Sequence, residues 1–205
     1  MDFDETFSPV MQLESFRTLL VIAAHLDLEI HQMDIVGAYL NGNLIEEIYM
    51  KQIPRYKDGS KKVLHLKKTL YGLKQAGQVW NRRLHEALTQ LGFTCLLMDT
   101  CVYVRHWGGK FSAIAFHVND SAIFADADLI NSIKSELKSK FNTRDLGELH
   151  QFVRITVTCN RSTHTITISQ EQYICDILEH AGMPDCNPAP TPMSPKQTLE
   201  KFDGA

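Results

Sequence analysis

Two apolar, β-prone runs meet at one polar pair in residues Phe111 to Asp126, FSAIAFHVNDSAIFAD. Such runs on either side of two turn-forming residues, here Asn119 and Asp120, specify a β-hairpin with an acid at its tip. A second acid, Asp34, stands at the end of another expected strand. If the two meet, the chain has the skeleton of a divalent-metal site, and Asn119 governs whether that site works.

The rest of the chain supplies the setting for this hairpin. Apolar residues recur at three and four from Leu13 to Leu26 and predict a helix. Leu28 to Ile35 alternates as a strand carrying Asp34 near its C-terminal end, and Gly37, Asn41 and Gly42 break it. Short strands are expected at Glu47 to Ile53 and Val63 to Lys67. A long amphipathic helix follows from Leu73 or Lys74 to Leu91 and is stopped by Gly92. Cys101 to Arg105 and Phe111 to His117 flank HWGGK, a second hairpin signal, so the tip belongs to a three-stranded meander. Asp128 is the expected cap of a helix running to Phe141. Strands at Phe152 to Thr158 and Thr163 to Ile168 and a helix from Gln170 to His180 complete the order. That order argues an α+β fold, an antiparallel sheet with helices on one face, over residues 1–186. NPAPTPMSP opens a proline-rich linker or tail at 187–205.

Composition narrows the functional classes. The chain of 205 residues is 44% hydrophobic and 22% charged, as a globular protein with a real core should be. It has no apolar run long enough to span a bilayer, and its acidic start, MDFDETFSPV, is unlike a secretory signal. An intracellular location without membrane contact is therefore expected. The five cysteines show no CxxC spacing and the nine histidines no HExxH, which leaves neither a disulfide framework nor a zinc motif. Between Lys51 and Arg83 there are ten Lys or Arg against one acid, Asp58, in a chain of net charge -3. Clustering of this kind is either a solvated lysine-rich surface or a phosphate-binding one, with Lys61, Lys62, Lys67, Lys68, Lys74, Arg82 and Arg83 as its candidate nucleic-acid contacts.

Magnesium takes hard oxygen ligands, commonly one or two carboxylates with substrate phosphates, and pairs of such ions serve polymerases. Asp34 and Asp120 are plausible ligands, although acids at strand ends and turns often serve only the local backbone. Four segments add weight: HQMDIVGAYLNGNLIEEIYMKQ, LKKTLYGLKQAGQVWNRRL, FHVNDSAIFAD and KFNTRDLGELHQFVRITV. With DETFSP ahead of them, they resemble, in order and over nearly the whole chain, the motifs of the reverse transcriptase domain of copia-type retrotransposons.

The resemblance implies a ferredoxin-like polymerase palm, RNA-directed DNA synthesis, an RNA or DNA template-primer, a deoxynucleoside triphosphate and two magnesium ions. Asp34 would be the first catalytic carboxylate, with the Ile35 carbonyl beside it as a further metal ligand, and Asp120 the acid of the hairpin. Tyr39 would lie under the incoming sugar, and Gln75 would fall in the motif lining the nucleotide pocket. The plain alternatives are a core aromatic for Tyr39, helix surface for Gln75 and buried packing for Trp80.

The chain also departs from the family pattern. The tip usually reads Tyr-Val-Asp-Asp and here reads His117-Val118-Asn119-Asp120. A neutral amide at Asn119 weakens charge neutralisation in a two-metal site, with an expected loss of at least about a hundredfold. Arg154 stands where the family generally has glycine. Finger strands precede DETFSP in the family, so the expectation is a palm without fingers, catalytically impaired. The alternative is a noncatalytic nucleic-acid binder using residues 51–83. Oligomeric state is left open.

Overall fold

A computed structural model describes residues 6–190. In chain order it contains helix α1 (Leu13–Leu26), strands β1 (Glu29–Ile35), β2 (Tyr49–Met50) and β3 (Leu64–His65), helix α2 (Ala76–Gln90), and strands β4 (Thr94–Cys95), β5 (Val102–Trp107), β6 (Lys110–His117) and β7 (Asp120–Ala125). Helix α3 (Ala127–Lys140), strands β8 (Thr143–Glu148), β9 (Gln151–Phe152), β10 (Ile155–Asn160) and β11 (Thr165–Ser169), and helix α4 (Glu171–His180) follow. Six strands form one antiparallel sheet in the order β4-β5-β6-β7-β1-β8. The α+β, mainly antiparallel architecture is the expected one.

The β6–β7 hairpin is buried almost continuously rather than alternately, from Ser112 to Phe116 and from Ser121 to Ala125. Each sheet face therefore has a cover. Met33, Ile35, Ile114, Phe116 and Ile123 pack with Trp80, Leu84 and Leu88 of α2 and Ile130, Ile133 and Leu137 of α3. Ile30, Ala113, Ala115, Ala122 and Phe124 lie on the other face, against Phe16, Leu19 and Leu20 of α1 and Phe152, Ile155 and Val157 of β9 and β10. The expected layer of helices is thus α2 and α3, while α1 shares the second face with the small β9-β10-β11 sheet. Phe16 joins the two, its ring 6.2 Å from Phe124 and 5.0 Å from Phe152. Burial of one such aromatic contributes roughly 2–3 kcal/mol.

Three local expectations are corrected. His117 pairs directly with Asp120, so the two-residue loop is Val118-Asn119, and Asp120 already belongs to β7. Asp126, not Asp128, occupies the cap position of α3: its carbonyl accepts the Leu129 and Ile130 N–H groups, whereas Asp128 pairs with Lys110 at 2.6 Å. The segment TRDLGE, which has no apolar alternation to mark it, is strand β8 on the open edge of the sheet beside β1. Its charged side chains suit an edge, because they discourage further pairing.

The strands expected at Glu47–Ile53 and Val63–Lys67 shorten to the two-residue pairs of β2 and β3. Further backbone bonds, Leu66 N–H to Ile48 O, Leu44 N–H to Lys67 O and Thr69 N–H to Gly42 O, extend them into a ribbon that returns the chain to the sheet. The described residues divide into two compact units, one ending at Ser169 and one starting at Gln170. The described part of the second unit contains α4 and the turn after it, where Gly182 and Met183 bond back to the last helical carbonyls. The expected tail at 187–205 lies outside the described residues from position 191 onward. Among the described residues no helix is long and apolar enough to cross a membrane.

Candidate functional site

The register of β1 against β7 places Asp34 directly opposite Asp120. Residues facing each other in an antiparallel pair put their side chains on one face within about 5.5 Å at Cβ, so the two acids are neighbours by construction. The Ile35 N–H donates to the Asn119 carbonyl at 2.8 Å, and the buried Ser121 hydroxyl donates to the Met33 carbonyl at 2.9 Å. These bonds fix the hairpin tip against the end of β1. From the opposite face the Trp80 indole N–H donates to the Val118 carbonyl at 2.8 Å. Trp80 is buried packing, and its one polar atom holds the tip in place.

Val118 needs that restraint. Its φ of 59° is a left-handed conformation that a β-branched residue adopts at a cost of about 1–3 kcal/mol. With a positive φ at the first loop residue only, the turn has the sign pattern of type II′, where glycine is usual. The strain is held by bonds at both loop residues.

The Asn119 side chain donates through Nδ2 to Asp34 Oδ1 at 2.6 Å. Asp120 has its pKa raised, first by burial and then by the charge of Asp34, with a bond to Gln32 and the nearby His117 acting the other way. His117 Nδ1 is buried with no hydrogen-bond partner among the described residues. Two neighbouring carboxylates are hard oxygen donors of the kind magnesium takes, and a cation beside them would relieve the repulsion felt by Asp120. Asn119 supplies no charge, and in this geometry it turns its N–H, not its oxygen, toward Asp34. Among the described residues no cluster of three or more His, Cys, Asp or Glu side chains forms a metal site.

Beside the acids lies a cavity of about 500 Å³ lined by Asp34, Ile35, Gly37, Tyr39, Tyr71, Asn119 and Arg144, among others. Gly37 shapes its floor: at φ 61° it turns the chain out of β1 into a 3-10 turn, Ala38–Asn41, which carries Tyr39. The half-buried Tyr39 ring is 5.9 Å from that of Tyr71. The structure thus brings together Asp34, Ile35, Tyr39, Asn119 and Asp120. It leaves out Gln75, which is buried at the start of α2 with Nε2 3.5 Å from Glu46 Oε1 and does not line the cavity.

Residues Leu70 and Tyr71 of the same motif line the cavity instead. Arg144 was not legible either. It reaches the site because β8 pairs with β1 and sets it opposite Asp34. Of the basic candidates, Lys61, Lys62, Lys67, Lys68, Lys74 and Arg82 are exposed, along the ribbon, the turn after it and α2. Arg83 is half-buried with its guanidinium 5.5 Å from the centre of the Phe141 ring, a packing role as much as a surface one.

Comparison with known proteins gives a consistent result. Residues 1–195 match the family described as reverse transcriptase (RNA-dependent DNA polymerase). The chain is 37% identical, over 98% of its length, to the Retrovirus-related Pol polyprotein from transposon TNT 1-94 of Nicotiana tabacum, of which it covers 15%. It is 34% identical, over its whole length, to the Retrovirus-related Pol polyprotein from transposon RE1 of Arabidopsis thaliana, of which it covers 14%. A putative transposon Ty5-1 protein of Saccharomyces cerevisiae is 28% identical over 82% of the chain, which covers 55% of that protein. No solved structure matches.

Proposed function

The chain belongs to the reverse transcriptase (RNA-dependent DNA polymerase) family, and from that premise we propose that it is the palm portion of a copia-type Pol polyprotein, binding a template-primer and a deoxynucleoside triphosphate with reduced catalytic power. The observation that carries this reading is the direct pairing of Asp34 with Asp120, with the Asn119 amide bonded to Asp34. Asp34, the Ile35 carbonyl and Asp120 would hold magnesium. Bound there, the metal supplies charge neutralisation at the phosphates and activation of the primer hydroxyl.

The protein's own groups do the remaining work. Tyr39, at the cavity wall, limits the space beside the sugar. Arg144, exposed and opposite Asp34, offers a guanidinium to phosphate oxygens. The rigid tip keeps Asp120 from drifting, since preorganised charge is what accelerates phosphoryl transfer. Asn119 lowers the charge of the ligand set by one, and its bond to Asp34 must break before its oxygen faces a cation.

Primer extension on an RNA template tests the reading, comparing the chain with its Asn119→Asp variant in magnesium and in manganese. Restored carboxylate charge is expected to raise extension by about a hundredfold or more. Equal rates in both proteins would remove Asn119 from the metal site. A second reading, a nucleic-acid binder without catalysis, draws on the exposed lysines of the ribbon and its loop, and makes its own prediction for salt dependence.

A further inference from the structure

We infer that Tyr71 is a stacking wall for the nucleobase of the incoming nucleotide, an inference that rests on the reading of the neighbouring acids as a nucleotidyl-transfer site. Tyr71 is 91% exposed, unusual for an aromatic of its size, yet it borders the cavity that contains Asp34 and Asn119. It is also held there. The Leu73 N–H bonds to the Leu70 carbonyl at 3.2 Å and Gly72 has φ 97°, which makes Leu70 to Leu73 a turn of type II sign with Tyr71 at its outer corner. The residue before that turn, Thr69, is buried and tied by its backbone N–H to Gly42 and by its hydroxyl to the Tyr39 carbonyl. The Tyr39 ring, tilted by 40°, backs the Tyr71 ring at 5.9 Å.

The cavity is chemically divided. Tyr71, Leu40 at 49% exposure and Val118 at 38% offer apolar surface, while Asp34, Asn119 and Arg144 offer charge and hydrogen bonds. A ligand that satisfies both halves has a flat, weakly hydrated part joined to an anionic part that a cation and a guanidinium can hold. A nucleoside triphosphate with its metal is such a ligand. Its base has a π-face whatever its identity, so a tyrosine wall accepts all four bases and favours the larger purines.

The test is equilibrium binding to the purified chain in magnesium, without template, of dGTP, dCTP, base-free deoxyribose triphosphate and inorganic tripolyphosphate. Wild type is expected to bind dGTP more tightly than dCTP, and both more tightly than the base-free compounds. Tyr71→Ala should lose about tenfold for dGTP and abolish the purine preference, leaving tripolyphosphate unchanged, and Tyr71→Phe should retain wild-type behaviour. Since the side chain is exposed, both variants should keep the wild-type circular dichroism and melting temperature. Persistence of the base preference in Tyr71→Ala overturns the inference. So does an equal loss for base-free deoxyribose triphosphate, which would make the ring a sugar contact. If wild type binds neither dGTP nor tripolyphosphate, the reading of the acids falls and this inference falls with it, a result distinct from intact phosphate binding with no base dependence.

Discussion

At Asn119 an amide stands where the proposed metal site would use a carboxylate, and exchanging one for the other is expected to act in opposite directions on stability and on metal binding. The Nδ2 bond to Asp34 stabilises the metal-free tip, whereas a carboxylate there would add a third negative charge beside Asp34 and Asp120. Asn119→Asp should therefore lower metal-free stability by about 1–2 kcal/mol, read as a lower melting temperature in chelator, and reverse in sign with magnesium present. A variant melting at the same temperature with and without magnesium would contradict it. Asp120 adds a pH dependence. Its folded pKa lies above the unfolded one, because of burial and then Asp34, so the folded chain holds the proton more tightly. Stability contributed by Asp120 is then lost as pH rises from the unfolded to the raised folded pKa, and stays lost at neutral pH. Magnesium affinity should run the other way, weakening on acidification at a pH above the ordinary aspartate value of 3.8. A carboxyl-resolved NMR titration with and without magnesium measures both. Arg154 is a separate case. Val153 and Arg154 have φ 49° and 62° between β9 and β10, the two-residue left-handed turn that asparagine and glycine favour. Relief of the left-handed cost, about 1–2 kcal/mol, outweighs the chain entropy of glycine, about 0.5–1 kcal/mol. On the backbone balance alone Arg154→Gly gains roughly 0.5–1 kcal/mol in denaturant unfolding, from which the side-chain interaction that Arg154 makes subtracts, and a net loss would mean that this interaction outweighs its backbone strain.

Among the elements, β8 shows most clearly what the sequence hid. Helix α1 was legible to the residue because Phe16, Leu19, Leu20 and Ala23 keep helical spacing against one face. In β8 no such signal exists: Arg144, Asp145 and Leu146 are consecutive and exposed on an edge, so their pairing is set by β1 and not by burial. The hairpin tip was misread by one residue for a related reason. Local chemistry favours Asn-Asp as a loop, whereas sheet register and the Trp80 bond impose Val118-Asn119. Asp34 and Asp120 were named from motifs, while Arg144 and Tyr71 enter the site only through pairing and turn geometry that no periodicity encodes. What secures β8 is Lys134 of α3, buried at 5% exposure, with Nζ 2.6 Å from Asp145 Oδ1 and 2.9 Å from His31 Nδ1. Burial alone would raise the Asp145 pKa, yet bonds from Lys134 and the Gly147 N–H hold it below the usual value. That stabilisation is present above the unfolded pKa and is lost as pH falls through the folded one. Lys134→Met should cost about 1–2 kcal/mol, less than a fully buried pair because Asp145 is partly solvated. It should also speed amide exchange in β8 before β6 and β7. Uniform exchange acceleration across the sheet would show that Lys134 supports the whole core and not this edge.

Across the whole molecule, charge is distributed against its sum. Residues 51–83 carry +9 in a chain of net charge -3, which leaves -12 for the remainder. The positive share is carried by an exposed ribbon, its loop and α2, and several of the acids are already paired: Asp145 with Lys134, Glu136 with Arg105, Asp27 and Glu29 with Arg161. A polyanion therefore meets clustered, exposed cations in one region and repulsion over the rest, so binding should be localised and strongly salt-dependent. Each phosphate neutralised on a single strand contributes about 0.7 to the slope of log affinity against log salt. Replacing Lys61, Lys62, Lys67 and Lys68 together by glutamine should reduce that slope by up to about three for a single-stranded oligonucleotide, uniformly across sequences. Arg83→Gln should change the slope little and the melting temperature more, because its guanidinium packs on Phe141. Fluorescence anisotropy over a salt series separates these outcomes. A slope unchanged in the four-lysine variant would make the ribbon a solvated surface and leave any nucleic-acid binding to the region of the acids.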